Sequence, residues 1–142
     1  QFQHLIEKHD INLEYDLEEN VGEVVVDGRM IKQVVINLLK NSIEAVQDEE
    51  RGSILVKTRA DGSDVKFVVA DDGPGIDDGV KGKLFSPFFT TKVGGSGLGL
   101  SVTRRIVRQH GGEISFEAAS GKGTSFRVKL PRELKDDDGY EY

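Results

Sequence analysis

The chain has 142 residues, of which 37% are hydrophobic and 31% charged, which fits one soluble domain with a genuine core and excludes a collagen-like, mucin-like or wholly disordered polymer. It has no cysteine, which removes disulfide frameworks, thiolate nucleophiles and cysteine zinc sites. The net charge of -6 argues against a protein whose main task is gripping nucleic acid or anionic membrane, so any phosphate must be held locally. His4, His9 and His110 stand at no ligand spacing, which makes a dedicated transition-metal site an unpromising reading. No apolar run approaches the roughly 18 residues of a membrane span, and the start QFQHLIEKHD is unlike a signal peptide. The piece is expected to work in the cytoplasm, on its own or as the cytosolic part of a membrane-bound sensor.

Residues 1–9 read as the end of a helix, after which Ile11, Leu13, Tyr15 and Leu17 alternate with polar residues as a half-buried strand does. Asp27 is a good N-cap for the segment that follows. There Ile31, Val34, Val35, Leu38, Leu39, Ala45 and Val46 recur at helical spacing, giving an amphipathic helix of about 20 residues. Ser53–Ala60 and Val65–Ala70 read as a hairpin turning at Asp61-Gly62. From Asp71 to about Gly97 the chain is rich in glycine, with only Val80–Phe85 helical in character; a loop of this length in a compact domain points to function. A second helix is expected from Leu98 to His110, stopped by Gly111-Gly112, and two strands, Glu113–Ala118 and Thr124–Leu130, flank a turn at Gly121–Gly123. Residues 132–142 read as an acidic, frayed tail.

Four constellations carry possible chemistry. Asn37 and Asn41 lie four apart on the long helix, with Lys40 and Glu44 along the same edge. An inward Asn41 oxygen is a neutral hard ligand of the kind Mg²⁺ accepts beside phosphate oxygens, although the spacing equally describes two solvated amides. Asp71-Asp72-Gly73-Pro74-Gly75-Ile76 follows a predicted strand. A buried carboxylate there would accept from an exocyclic amine such as adenine's, while a plain turn is the alternative. Phe85-Ser86-Pro87-Phe88-Phe89 places three of seven phenylalanines together, as an aromatic hinge for a lid or as a packing plug. Thr90, Thr91 and Lys92, then Gly95, Ser96, Gly97, Leu98, Gly99 and Leu100, put hydroxyls, one ammonium and a helix start in series, which suits a triphosphate. Arg104, Arg105 and Arg108 read as a solvated helix face.

Taken as an ordered set, VINLLKNSIEA, DDGPGI, FSPFFTTK, GGSGLGLS and HGGEISFEAASGKGTSF resemble the catalytic, ATP-binding domain of bacterial two-component sensor histidine kinases. That family shares a wider ATPase superfamily with gyrase, Hsp90 and MutL. The likeness covers residues 1–131 and implies an α/β sandwich in which a mixed, mainly antiparallel sheet of about five strands backs three helices. By resemblance, Asn41 would coordinate Mg²⁺, with Asn37 and Lys40 near the phosphates and Glu44 beside them. Asp71 would bond the adenine amine, Gly73, Gly75 and Ile76 would shape that pocket, and Thr124 would support it through water. Thr90, Thr91, Lys92 and the backbone from Gly95 to Leu100 would cover the phosphates, with Phe85, Phe88 and Phe89 fastening the lid.

Where hydrolysing relatives carry a glutamate general base, this chain has Asn37, which cannot accept a proton at neutral pH. The resemblance therefore implies transfer of the γ-phosphate of Mg-ATP to a histidine on a separate dimerisation domain, with a response regulator as an indirect partner and no nucleic acid. The isolated domain would be monomeric and the full kinase homodimeric. His9-Asp10 imitates the family's phosphoacceptor but lacks the following proline and runs into a strand. The competing readings are an ATP-hydrolysing switch, a serine kinase acting on a protein, and a nucleotide-sensing adaptor without catalysis.

Overall fold

A computed structural model describes residues 2–89, 99–119 and 121–133. The elements in order are α1 (Gln3–Lys8), β1 (Asn12–Leu17), α2 (Gly28–Val46), β2 (Ser53–Asp61), β3 (Asp64–Asp71), α3 (Asp78–Lys81), α4 (Gly99–Gln109), β4 (Glu113–Ala118) and β5 (Thr124–Pro131). One five-stranded sheet has the order β1-β2-β3-β5-β4. Only the β1–β2 pair is parallel, and the other three pairings are antiparallel. The helices pack on one face, giving the expected two-layer α/β arrangement.

The long helix forms where the apolar stripe places it. The Asp27 carboxylate accepts from the backbone N–H of Arg29 (3.0 Å) and Met30 (3.2 Å), satisfying donors that the first turn leaves unpaired. Its inward residues Val34, Leu38, Ile43 and Val46 are fully or almost fully buried against the sheet. On the sheet side, the register aligns Val56, Val69, Phe126 and Phe116 across β2, β3, β5 and β4. Val69 and Phe126 are buried, and rings of Phe116 and Phe126 meet at 6.0 Å. Burying a side chain such as Val69 contributes about 1.5–3 kcal/mol, so this row anchors the central strands.

Three expectations change in detail. Tyr15 and Leu17 are 65% and 55% exposed, because β1 is an edge strand and the core reaches only Ile11 just before it and Leu13 near its start. The helical turn expected over Val80–Phe85 lies earlier, at Asp78–Lys81. Asp77 opens it through its carbonyl, which accepts from Val80 (2.9 Å) and Lys81 (3.3 Å), and Gly82 then weakens helical continuation. Arg132, read as the first tail residue, is tied to the body: its backbone N–H donates to Ser63 (3.1 Å) and its carbonyl accepts from Val25 (2.8 Å). Residues 134–142 lie outside the described residues.

His110 joins the two principal helices. It is 5% exposed, its Nδ1 lies 2.8 Å from the Ile106 carbonyl, and its Nε2 accepts from the Asp27 backbone N–H at 3.0 Å. With Nδ1–H donating to Ile106, Nε2 is the free acceptor, which fixes the neutral tautomer. His110→Phe keeps a ring but leaves the Asp27 N–H without its acceptor. Urea unfolding should show a loss of about 1–3 kcal/mol, and an unchanged midpoint would exclude this link.

Candidate nucleotide-binding site

Side chains on a strand alternate between faces. On β3 the inward series is therefore Val65, Phe67, Val69 and Asp71, so the last member of an apolar row is a carboxylic acid. Its cross-strand neighbours are Ile54 on β2 and Thr124 on β5, respectively 1% and 8% exposed. Asp71 thus faces the helical layer. Burial raises its pKa above the ordinary carboxylate value, and the negative charge of Asp72 adds to the rise. The N–H of Gly73, the hydroxyl of Ser42 and the N–H of Thr124 act in the opposite sense and favour the charged form. The Gly73 N–H donates to Oδ1 at 2.9 Å.

Asp72, the other half of the acidic pair, has a different task. Its carboxylate accepts from the Ser53 N–H at 2.7 Å and its own N–H donates to the Ser53 carbonyl at 3.2 Å. It closes the start of β2 and leaves Asp71 alone in the interior row.

The turn after Asp71 is pressed against the β4–β5 connection. Gly75 has φ +77°, and a side chain there would collide with the Ala119 carbonyl; Gly123 has φ +81°, and a side chain there would collide with the Asp71 carbonyl. Both the left-handed backbone and the lack of space require glycine. The Gly121 N–H donates to the Pro74 carbonyl at 2.6 Å. This mutual packing holds Asp71, Gly73 and Thr124 in one rigid group, with Ile76 half-buried just beyond.

Asn37, Lys40, Asn41 and Glu44 all lie on α2. Lys40 is exposed, and the other three are half-buried. The Asn37 amide is engaged at both ends. Its Oδ1 accepts from Gln33 Nε2 at 2.8 Å, and its Nδ2 donates to the Gly99 carbonyl (3.2 Å) and to Thr103 Oγ1 (3.1 Å). The buried Thr103 hydroxyl in turn donates to the Gly99 carbonyl at 2.7 Å. Asn37 therefore connects α2 to the first turn of α4, where Leu100 packs against the core. The sequence reading passes over Thr103 and Ser42. A hydroxyl falling inside an apolar helical stripe was the available signal for both, since Ser42 continues the series of Val34 and Leu38 at four-residue steps.

The phenylalanines divide. Phe85 meets Phe116 at 5.8 Å, and the Arg104 guanidinium lies 5.4 Å from the Phe85 ring centroid, a cation–π contact rather than a wholly solvated arginine. Phe88 is 74% exposed with φ +65°, so the expected three-ring fastening is not formed by this ring: the left-handed turn carries it into solvent. Phe89 is half-buried. Thr90, Thr91, Lys92, Gly95, Ser96, Gly97 and Leu98 lie outside the described residues.

Two open clefts of about 470 and 650 Å³ lie along α4, lined by Phe85, Arg104 and Arg108. Neither contains Asp71 or the asparagines of α2, so the acceptor and amide groups that suit a purine and a metal-bound phosphate lie elsewhere. Among the described residues no three His, Asp or Glu side chains gather as a metal cage. A magnesium ion would instead rely on Asn41 oxygen with phosphate oxygens and water, a donor set that suits this hard cation.

Residues 26–134 match the family described as histidine kinase-, DNA gyrase B- and HSP90-like ATPases. The sensor histidine kinase ZraS of Escherichia coli K12 is 38% identical over 132 residues, covering 92% of this chain and 28% of that protein. Sporulation kinase B of Bacillus subtilis is 42% identical over 108 residues, covering 76% and 25%. Among solved structures, a nucleotide-free catalytic domain of histidine kinase ThkA superposes with a TM-score of 0.81 at 39% identity, covering 92% of this chain and 86% of that one. The chain spans about a quarter of the length of these two curated relatives. With this sheet order and the matched residues, the chain belongs to the histidine kinase-, DNA gyrase B- and HSP90-like ATPase family, in the form of a histidine kinase catalytic domain.

Proposed function

We propose that this domain binds Mg-ATP between α2 and α4 and donates its γ-phosphoryl group to a histidine on a separate dimerisation domain. The observation that carries this reading is Asp71, an acid at the end of an apolar row, facing the helices beside a glycine turn packed against the β4–β5 connection. Its carboxylate accepts from the adenine amine. Gly73, Gly75, Ile76 and Thr124 form the walls. Asn41 holds the metal, which neutralises phosphate charge, while Lys40, Glu44 and the segment from Thr90 to Leu100 lie toward the phosphates.

The transfer itself needs little from the protein beyond alignment. An imidazole nitrogen attacks the γ-phosphorus, the bond to the β,γ-bridging oxygen breaks, and ADP leaves. The position that would need a general base for water attack is Asn37, and its amide is occupied with Gln33 and α4. An amide accepts no proton at neutral pH, so bound ATP waits for the histidine. ThkA has been captured with a response regulator protein, TrrA, in a complex whose kinase chain is 36% identical and superposes at a TM-score of 0.77. A response regulator is the corresponding downstream partner here.

Two measurements check this reading. Injecting Mg-ATP into the domain in a calorimeter should give a binding pulse that returns to baseline, because Asn37 offers no base to activate water; continuous heat would move the base to Glu44 or elsewhere and place the domain with the hydrolysing switches. Asp71→Asn should lower ADP affinity at least about tenfold, the loss of a hydrogen bond to a charged group. The same change should raise the melting temperature at neutral pH. The pKa of Asp71 is raised by folding, so its stabilising contribution is present below the unfolded value and is lost as pH rises through the folded one. The gap between variant and parent should therefore close on acidification. Unchanged ADP affinity would remove Asp71 from the site.

A further inference from the structure

Thr103 lies on the inward face of α4 with Ile106 and Val107 and is 0% exposed. Valine has nearly the same shape and would fill this place without burying a hydroxyl, so the oxygen calls for a reason. It is used twice. Its O–H donates to the Gly99 carbonyl at 2.7 Å, which leaves a lone pair to accept from Asn37 Nδ2 at 3.1 Å. The same Nδ2 donates to the Gly99 carbonyl at 3.2 Å, and Asn37 Oδ1 accepts from Gln33 Nε2 at 2.8 Å. A flipped Asn37 amide would set its oxygen against the Gly99 carbonyl and its NH₂ against that of Gln33, so the network selects the orientation observed.

Apolar packing also joins the two helices, since Val34 and Leu38 of α2 and Ile106 and Val107 of α4 belong to one core cluster. Such packing is non-directional and tolerates sliding; a hydrogen bond with its donor on one helix and its acceptor on the other does not. The His110 link to Asp27 fixes the far end of α4, and the Thr103–Asn37–Gly99 group fixes the first turn. Asn41 stands one turn beyond Asn37 on α2, and Gly99 and Leu100 form the first turn of α4. The proposed function sets all three beside metal and phosphates. We infer that Thr103 is a positioning residue for the phosphates of the nucleotide: by holding Asn37 and Gly99 together it sets the start of α4 against the Asn41 turn of α2, without touching the nucleotide itself. This rests on the nucleotide-site reading above. The adenine end is built separately, on β3 and the β4–β5 connection, so loss of the Thr103 hydroxyl acts on phosphate recognition and spares the base.

The test is titration of the whole 142-residue chain with Mg-ADP and with adenosine, followed by NMR so that weak binding is measured, for the parent, Thr103→Val and Thr103→Ser. Thr103→Val keeps the shape and loses the hydroxyl. It should bind Mg-ADP about fivefold more weakly than the parent while its adenosine affinity stays within about twofold. Thr103→Ser returns the hydroxyl and should recover the parent's preference for Mg-ADP over adenosine, although it gives up a buried methyl group and melts earlier. A purely structural role predicts the reverse ranking, with valine at least as good as serine. An equal loss for both ligands, an unchanged preference in Thr103→Val, or a Thr103→Ser domain as impaired as Thr103→Val overturns the role of Thr103 while leaving the nucleotide site in place. Should Thr103→Val fail to fold, an Asn37→Ala domain with the parent's preference overturns it. A parent that binds Mg-ADP no more tightly than adenosine overturns the inference and leaves the adenine pocket standing, and a parent that binds neither overturns both this inference and the nucleotide reading.

Discussion

A carboxylic acid placed where the sheet calls for an apolar side chain sets the terms for the rest of this structure. Asp71 continues the interior row of Val65, Phe67 and Val69, and a charge there is tolerated only where donors surround it. The protein provides them from the glycine turn that follows and from the opposite strand. Each provision has a structural cost. Gly75 and Gly123 must occupy a left-handed backbone with no room for a side chain. Native folds accept such local conflicts at functional sites.

The second constraint is how α2 and α4 are held. Asn37 fastens the start of α4 through the Gly99 carbonyl and Thr103, and His110 fastens its far end to the cap of α2. The two helices are thereby tied at both ends of α4, and Lys40, Asn41 and Glu44, which the proposed function sets beside metal and phosphates, follow the Asn37 tie on α2. The amide at position 37 serves this geometry and also leaves the site without a general base there. Under the proposed function, a domain that keeps ATP until a histidine arrives gains on both counts.

Much of this was legible in the sequence because the relevant signals are periodic or tied to single residues. The stripe from Ile31 to Val46 and the capping Asp27 place α2 closely, and the alternation in β5 is reproduced residue by residue in its burial. The position of Asp71 at a strand end was readable. Its inward direction followed from continuing the two-residue alternation one step further. Less was legible where tertiary context decides. Tyr15 and Leu17 alternate as buried residues do, but an edge strand beyond the helices leaves them in water. The phenylalanine cluster looks uniform in sequence, yet Phe85 joins a ring ladder while Phe88 turns outward. Ser42 and Thr103 resemble ordinary small polar residues until the stripe they interrupt is seen to be core.

The central claim is that the half-buried carboxylate at Asp71 reads the exocyclic amine of adenine. Comparing the binding of ATP and inosine triphosphate, which has an oxygen in place of that amine, tests it most directly. The account predicts that ATP binds at least about tenfold more tightly at neutral pH, since the inosine oxygen would face an acceptor instead of donating to it. Equal affinity for the two nucleotides would contradict it.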